Sequence, residues 1–307
     1  MEKSRLGNSD LHVSRMGLGC MSLGKDLKKA QPIIEAALEE GINYFDTADL
    51  YDFGENEQIV GKALHSVRDK VIIATKAGNR WDDVEDGWHW DPSKHYIKEA
   101  AKRSLKRLGT DYIDLYQLHG GTIEDHAEET IEAFEELKQE GIIRYYGISS
   151  IRPNVVKRFS ESSNIVSVMM QYSLLDRRPE EVFPLLKEKN ISVVTRGPVA
   201  KGLLSEQMLE KASDKIKEKG YLDYSYSELE NVLGIIHEKL GSLRSMNQTA
   251  LQYILSHEEV SAVVPGASSV EQVRENARAV KAEPLTNEEI QFLKVATKNS
   301  VYEQHRI

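Results

Sequence analysis

The sequence contains one cysteine, Cys20, among its 307 residues. An intrachain disulfide or a cysteine-rich metal site would need more cysteines, so both are excluded. Long hydrophobic runs are missing as well. No segment approaches the ~18 apolar residues that a membrane-spanning helix needs, and the first residues lack the apolar segment of a secretory signal. We therefore expect a cytoplasmic protein without membrane association.

A basic surface is also absent, since 49 acidic residues against 40 lysines and arginines give a net charge of -9. Proteins that bind nucleic acid or anionic lipid concentrate positive charge, so the composition argues against both kinds of partner. The content of 40% hydrophobic and 29% charged residues is that of an ordinary globular protein. Because α/β barrels reach this length as one unit, residues 1–307 are interpreted as a single domain.

Short apolar segments alternate with amphipathic helical patterns along the chain. Eight of these segments are typical of strands buried on both faces: 14–20, 43–48, 71–78, 112–119, 145–151, 166–173, 191–198 and 260–267. Two shorter strand patterns around Gly7 and Asn8 predict an N-terminal β-hairpin. The alternation predicts an α/β fold with a parallel sheet, and eight units close most naturally into a (β/α)8 TIM barrel. An open doubly wound sheet is the alternative.

Two of the helical patterns have recognisable ends. Residues 93–108 place an apolar stripe on one face and are followed by Gly109, which suits a left-handed C-cap. Residues 125–140 begin with Asp125 as a candidate N-cap and are followed by Gly141.

Two segments depart from the repeat. The connection 79–92 is long and holds all the tryptophans of the chain, Trp81, Trp88 and Trp90. Long loops at this end of a barrel commonly wall the pocket, so these side chains are candidates for substrate binding, with a covering role at the barrel mouth as the alternative. Residues 203–259 are too long for one crossover, and we expect an extra loop and helices there.

Polar side chains stand where several predicted strands end. Asp46 lies at the end of the second strand and Tyr51 follows it, Lys76 closes the third strand, His119 the fourth and Gln171 the sixth. Each has a structural interpretation when taken alone, such as a turn cap or a packed ring. In a parallel barrel, however, the carboxyl ends of the strands meet on the face that carries active sites. Together they predict a catalytic site, and because no pair has metal-ligand spacing we infer no metal.

A second group of residues follows the seventh and eighth predicted strands. Arg196 ends the seventh strand, and Gly197 and Gly202 allow a ligand to approach the backbone closely. After the eighth strand, Ser269 and Gln272 have the spacing of a capping box, which predicts a helix N-terminus suited to phosphate. Basic residues nearby are Arg274, Arg278 and Lys281. An ordinary strand-to-helix turn with a basic surface is the alternative.

Six sequence blocks resemble, in order and spacing, the aldo-keto reductase superfamily: FDTADLYDFGENEQIVGKAL, VIIATKAG, YIDLYQLH, YYGISS, MMQYSLL and VVPGASSVEQVREN. The resemblance extends from Leu6 to about Ala279, and the block from Asp46 to Gly61 is highly specific. It implies a (β/α)8 barrel and nicotinamide-dependent reduction of carbonyl groups.

The resemblance also implies roles for individual residues. The positions of the family's catalytic tetrad are those of Asp46, Tyr51, Lys76 and His119. The residues expected to hold the nicotinamide carboxamide are Ser149, Ser150 and Gln171. The residues expected at the adenosine phosphate are Gly266, Ser268, Gln272 and Asn276.

Three residues differ from the family's usual pattern. Arg196 replaces the aromatic residue that stacks under the nicotinamide, Ser150 replaces an asparagine, and Ser268 replaces a basic residue. A guanidinium can lie flat against a ring, but its charge opposes a cationic oxidised nicotinamide. With Ser268 in place of a cation, we expect only a modest preference for NADPH over NADH, through Arg274 leaning toward the start of its helix.

The sequence thus predicts reduction of a small aldehyde or ketone, with NADPH as the cofactor and Tyr51 as the general acid. Lys76 would stabilise the phenolate, Asp46 would keep Lys76 charged, and a neutral His119 would orient the carbonyl or pass a proton. Two alternatives remain open. Lys76 could form a Schiff base in a lyase, or the chain could be a nicotinamide-binding redox sensor with little turnover. The sequence identifies neither the substrate nor the oligomeric state.

Overall fold

The computed structural model describes residues 1–81 and 87–303. The strands in these ranges are β1 Lys3–Arg5, β2 His12–Ser14, β3 Leu18–Gly19, β4 Tyr44–Asp46, β5 Ile72–Ala77, β6 Asn79–Arg80, β7 His89–Trp90, β8 Ile113–Leu118, β9 Ile143–Ser149, β10 Ser167–Gln171, β11 Ser192–Arg196 and β12 Val260–Val264. The α-helices are α1 Leu27–Glu39, α2 Glu55–Leu64, α3 Lys94–Leu108, α4 Ala127–Gln139, α5 Pro153–Ser162, α6 Phe183–Glu188, α7 Asp214–Lys219, α8 Tyr226–Leu240, α9 Met246–Leu255, α10 Val270–Val280 and α11 Asn287–Ala296. None of these helices is both long and apolar enough to cross a membrane.

Eight parallel strands form the central sheet, in the order β12-β11-β10-β9-β8-β5-β4-β3. The two ends of the sheet meet, because the backbone N–H of Gly17 donates to the carbonyl of Val263 at 2.8 Å and that of Gly19 to the carbonyl of Pro265 at 3.0 Å. The predicted (β/α)8 barrel is confirmed, and the open doubly wound sheet is wrong.

Each predicted strand segment overlaps one barrel strand. The bounds differ most at β3, which spans only Leu18–Gly19 of the predicted 14–20, and β9 begins at Ile143 rather than at residue 145. β4, β5, β8 and β12 are buried at every residue, because helices cover the outside of the sheet while side chains fill the inside. This explains why these segments are mostly apolar.

The predicted hairpin closes the amino-terminal end of the barrel. β1 pairs with β2 in antiparallel fashion, and Leu6, Leu11 and Val13 pack among inward-facing barrel side chains. The backbone N–H of Gly7 donates to Ser192 Oγ at 2.7 Å. Gly7 has a φ of 50°, and a Cβ there would lie 2.1 Å from the carbonyl oxygen of Val166, so this close approach requires glycine.

The two helix patterns are found, with one corrected end. α3 ends at Gly109 in the left-handed conformation, as predicted. The prediction that Asp125 caps α4 is wrong, since the N-cap is His126 and has no side-chain cap bond. The Asp125 carboxylate instead accepts hydrogen bonds from the backbone N–H of Thr122 at 2.6 Å and from Trp90 Nε1 at 2.9 Å. The carboxylate oxygens of Asp125 thus bind neighbouring loop residues instead of the first turn of α4.

The extra helices expected in 203–259 are present as α7, α8 and α9. α8 begins with a capping box of Ser225 and Glu228, and α9 with one of Ser245 and Gln248. In each box the serine hydroxyl and the longer side chain satisfy backbone N–H groups of the first turn. Both helix starts are therefore fixed locally, although the hydrophobic periodicity of this segment is weak.

Close contact between α2 and the end of α3 predicts a specific sensitivity. A Cβ at Gly61 would lie 2.2 Å from the backbone carbonyl oxygen of Leu108, whereas one at Gly234 in α8 would meet no atom within 4 Å. Gly61→Ala should therefore lower the free energy of unfolding by about 1–3 kcal/mol through overpacking. Gly234→Ala should raise it by about 0.5–1 kcal/mol through helix propensity. Urea unfolding of both variants measures the difference, and changes of the same sign would contradict it.

Candidate active site

A buried ion pair lies at the carboxyl ends of β4 and β5. Asp46 pairs in register with Ala74, and Lys76 follows two residues later on the same face of β5. Lys76 Nζ donates to Asp46 Oδ1 at 2.6 Å and to the carbonyl of Thr47 at 2.7 Å. Lys76 is fully buried and Asp46 is 4% exposed. The two predicted strand ends thus meet as a charge pair inside the barrel.

The charges of this pair follow from their surroundings. Burial lowers the pKa of Lys76, but Asp46 and Tyr51 raise it by more, so the pKa of Lys76 lies above its ordinary value. Burial raises the pKa of Asp46, and the nearby Lys76 only partly opposes this shift. The Lys76 amine is therefore protonated at neutral pH. A Schiff-base lyase needs a neutral amine, so this geometry argues against that alternative.

Tyr51 is brought over the ion pair by an unusual turn. Asp52 and Phe53 have φ values of 49° and 53°, and Gly54 follows at 86°. Non-glycine residues adopt this left-handed region only at a cost of order 1–3 kcal/mol each. The turn leaves the Tyr51 ring centroid 5.1 Å from Lys76 Nζ and 5.9 Å from the centroid of the His119 ring, edge to face. The strained turn thus holds the Tyr51 phenol close to both the Lys76 ammonium and the His119 imidazole.

His119 is neutral in this environment. Burial lowers its pKa to about 3, and the positive charges of Lys76 and Arg196 add to the effect. Among the described residues, its Nδ1 atom has no hydrogen-bond partner. A neutral imidazole has one donor and one acceptor nitrogen, so His119 can bind the oxygen of a ligand without carrying charge.

Gln117 is a member of the site that sequence reasoning missed. Its Nε2 donates to Asp46 Oδ2 at 3.4 Å, and its side chain is fully buried. Gln117 precedes His119 by two residues, so the period-two alternation of a strand directs both side chains to the inside of the barrel. That alternation was the available signal, because an amide at an inward position needs a polar partner.

Predicted nicotinamide-binding residues meet at the ends of β9, β10 and β11. Ser149, Ser150, Gln171 and Arg196 all line one cavity. Arg196 donates through one terminal nitrogen to Gln171 Oε1 at 3.2 Å, and Ser150 Oγ accepts the backbone N–H of Arg152 at 3.3 Å. Gly197 and Gly202 line the same cavity with φ values of 64° and 91°.

The predicted capping box after β12 is only half formed. Ser269 is the N-cap of α10 and its Oγ accepts the backbone N–H of Gln272 at 3.3 Å. The side-chain oxygen Gln272 Oε1 accepts the backbone N–H of Ser268 at 2.8 Å rather than that of Ser269. Gly266, Gln272 and Asn276 line the cavity, whereas Ser268 is not among its lining residues.

Arg274 lies away from the cavity wall. Its guanidinium forms an ion pair with Glu39 Oε2 at 3.3 Å, and both side chains are more than half exposed. The lining residues of the cavity do not include it. In this conformation the Arg274 guanidinium is therefore held by Glu39.

The tryptophan-rich connection forms a two-stranded ribbon of β6 and β7, and residues 82–86 lie outside the described part of the chain. Trp88 and Trp90 line the cavity, as predicted, but Trp81 does not and instead lies 5.7 Å from the ring of Phe53. A Cβ at Gly78 would lie 2.7 Å from the Trp90 ring. The absence of a side chain at Gly78 therefore makes room for this indole.

The cavity has a volume of about 1090 Å³, at the upper end of the range for ligand pockets. Lining residues that sequence reasoning did not select include Cys20, Met21, Ser22, Arg152, Lys201 and Glu275. A Cβ at Gly266 would lie 2.7 Å from Ser22 Oγ, so the absence of a side chain at Gly266 leaves room for this hydroxyl between the first and last strand loops. Together with the unpartnered Nδ1 of His119, this cleft fits a nicotinamide dinucleotide.

Comparison with known proteins gives a consistent result. The aldo/keto reductase family profile matches residues 15–297. The chain is 61% identical to the uncharacterized oxidoreductase YqkF of Bacillus subtilis over the full length of both chains. It is 33% identical to the NADH-specific methylglyoxal reductase of Escherichia coli, covering 91% of this chain and 94% of that protein. The holo form of the aldo-keto reductase AKR11C1 from Bacillus halodurans superposes with a TM-score of 0.94 at 60% identity, covering both chains completely.

The low pKa of His119 predicts a pH dependence of stability. The unfolded chain binds a proton at this histidine below about pH 6.5, whereas the folded chain does so only near pH 3. The free energy of unfolding is therefore highest, as far as His119 is concerned, above pH 6.5. Below that pH it declines by up to about 1.4 kcal/mol per pH unit, because the unfolded chain takes up a proton that the folded chain does not. Urea unfolding between pH 7 and pH 4 should show a shallower decline for His119→Gln than for the wild type. Equal declines would show that His119 is protonated in the folded state.

Proposed function

The chain belongs to the aldo/keto reductase family, and on this premise we propose that it reduces an aldehyde or ketone to an alcohol with NADPH. One observation carries the proposal, namely the buried Lys76–Asp46 pair next to Tyr51 and a neutral His119. A protein that only sensed the nicotinamide redox state would have no need of a buried cation beside a phenol. This observation therefore favours a catalyst over a redox sensor.

Proton donation is assigned to Tyr51. The bound nicotinamide would supply the hydride, and negative charge then develops on the carbonyl oxygen. The Tyr51 hydroxyl donates its proton to that oxygen. Lys76 Nζ lies 5.1 Å from the Tyr51 ring centroid, and its positive charge is proposed to stabilise the negative charge that proton donation leaves on Tyr51.

The other two polar residues keep this acid in its working state. Asp46 holds Lys76 protonated, because the 2.6 Å charge-assisted bond is lost when the ammonium is deprotonated. His119 is neutral and lies edge to face with Tyr51. Its ring N–H is assigned to the carbonyl oxygen, which it orients toward Tyr51 without competing as a stronger acid.

The cofactor would lie along the cleft from β9 to α10. Ser149, Ser150 and Gln171 are proposed to bind the nicotinamide carboxamide, with Arg196 against the ring. The backbone at Gly197 and Gly202 is proposed to approach the phosphates closely. The residues proposed at the adenosine phosphate end are Gly266, Ser268, Gln272 and Asn276. Trp88 and Trp90 are proposed to contact the substrate.

The preference for NADPH is proposed to depend on Arg274. Its ion pair with Glu39 is exposed on both sides, and such pairs contribute only about 0–1 kcal/mol. The guanidinium can therefore leave Glu39 for a 2′-phosphate near the start of α10 at little cost. Since Ser268 offers no charge, the preference should be small and NADH should also be used.

Tyr51→Phe tests the proton donor. The substitution keeps the ring but removes the hydroxyl, so kcat should fall by at least about 100-fold while NADPH affinity stays nearly unchanged. Steady-state kinetics over a panel of aldehydes and ketones, together with NADPH titration, measures both quantities. Tyr145→Phe makes the same change at the opposite end of the barrel, where the hydroxyl accepts the backbone N–H of Asp10, and should leave kcat unchanged. A Tyr51→Phe variant with more than about a tenth of wild-type kcat would assign the acid to another group.

Arg274→Ala tests cofactor choice. One charge-assisted contact corresponds to a preference of about 10- to 100-fold in kcat/KM for NADPH. The substitution should remove most of this preference and leave the kinetics with NADH unaltered. Arg278→Ala, one turn further along α10 and also exposed, is the matched control and should preserve the preference. Equal losses with both cofactors in Arg274→Ala would mean that Arg274 supports the structure of α10 instead.

A further inference from the structure

Gln171 is held on both sides of its amide. Its Nε2 donates to Asp176 Oδ2 at 3.1 Å, and its Oε1 accepts from Arg196 at 3.2 Å. A side-chain amide can flip, which exchanges the positions of its oxygen and nitrogen, and only its hydrogen-bond partners decide between the two orientations. In this orientation the oxygen lies on the side of Arg196, which lines the cavity.

Asp176 is suited to impose this choice because a carboxylate only accepts hydrogen bonds. Its side chain is fully buried and accepts two bonds from Arg178, at 2.7 Å to Nε and at 2.8 Å to a terminal nitrogen. The backbone of Asp176 pairs with that of Ser173 in a tight turn, through bonds of 2.9 and 3.3 Å. This turn brings the carboxylate back to the end of β10. The position of the carboxylate is therefore fixed.

We propose that Asp176 is a positioning residue of the nicotinamide site. By accepting from Gln171 Nε2, it turns the amide oxygen of Gln171 toward the cavity. That oxygen has two lone pairs: one accepts from Arg196 and the other is available to the amide N–H of the nicotinamide carboxamide. Asp176 thus fixes a hydrogen-bond acceptor and the Arg196 guanidinium at the same time. The inference rests on the proposed function, since it takes Gln171 to bind the carboxamide.

The position of Arg196 links this arrangement to the redox state of the cofactor. A guanidinium against the ring opposes the positive charge of the oxidised nicotinamide but not the neutral reduced ring. When Gln171 turns over, its NH2 group faces Arg196 and repels it from this position. Loss of the Asp176 contact should therefore weaken NADPH binding and also reduce the discrimination against NADP+.

A reciprocal exchange of the two side chains tests the proposal. The Asp176 carboxylate accepts three N–H groups, two from Arg178 and one from Gln171. In Asp176→Asn only one oxygen remains for these three donors, so the Gln171 amide is no longer held in one orientation. In Gln171→Glu, two carboxylates face each other. When both changes are made, the asparagine NH2 donates to the new carboxylate, whose other oxygen accepts from Arg196. The double variant restores the pairing with the same net charge as the wild type.

Titration of NADPH and NADP+ against the wild type, the two single variants and the double variant measures the dissociation constants. We expect each single variant to bind NADPH about 10-fold more weakly, and the double variant to return to within about threefold of the wild type. The ratio of the NADP+ and NADPH dissociation constants should fall in the single variants and recover in the double variant. Additive losses in the double variant would overturn the proposal.

Two comparisons separate this inference from other effects. Asp114 is also a buried carboxylate that pairs with two arginines, Arg68 at 2.8 Å and Arg144 at 2.9 Å, near the start of β8 at the opposite end of the barrel. Asp114→Asn should therefore lose stability without losing NADPH affinity.

Gln171→Met removes both polar atoms, and unchanged NADPH affinity in that variant would refute the proposed cofactor site itself. If Asp176→Asn alone does not fold, tighter NADPH binding by the double variant than by Gln171→Glu supports the proposal, and binding no tighter overturns it.

Discussion

The buried Lys76–Asp46 pair is the constraint on which the rest of the site depends. Removing two charges from water costs several kcal/mol for each ion, and the barrel offsets this cost only by satisfying the remaining donors and acceptors. The carbonyl of Thr47 accepts from the ammonium, and Gln117 donates to the carboxylate. The parallel register of β4 and β5 sets the spacing of the pair. The resulting fixed cation adds to the burial that keeps His119 neutral, and it lies beneath the ring of Tyr51.

Asp46 and Asp176 serve the cavity in the same physical way at two different strands. Each is a buried carboxylate at or near a strand end, each pairs with a cation, and neither needs to touch a substrate. Asp46 fixes the protonation of Lys76, while Asp176 fixes which atom of Gln171 faces the cavity. The groups that face the ligand thus owe their charge and orientation to carboxylates behind them.

Much of this arrangement could be predicted because it follows from periodicity. Apolar segments gave the eight strands, and the ends of those strands gave Asp46, Lys76, His119 and Gln171. Prediction failed where a side chain had several possible partners. Asp125 binds Trp90 instead of capping α4, and Gln272 binds Ser268 instead of Ser269. Trp81 packs beside Phe53 rather than on the cavity wall, and the contact of Asp176 with Gln171 was missed. Both depend on tertiary contacts that no local sequence pattern encodes.

The hairpin that closes the amino-terminal end of the barrel has a consequence for how the chain folds during synthesis. Gly7 binds Ser192 across 185 residues, and the carbonyl of Arg5 accepts from Ser261 across 256 residues. The hairpin therefore reaches its final contacts only after β11 and β12 have left the ribosome. Until then, Leu6, Leu11 and Val13 have no complete apolar surface to cover. Contacts this distant in sequence carry a high loop-closure cost and slow folding, so the first residues of the chain are among the last to be locked in place.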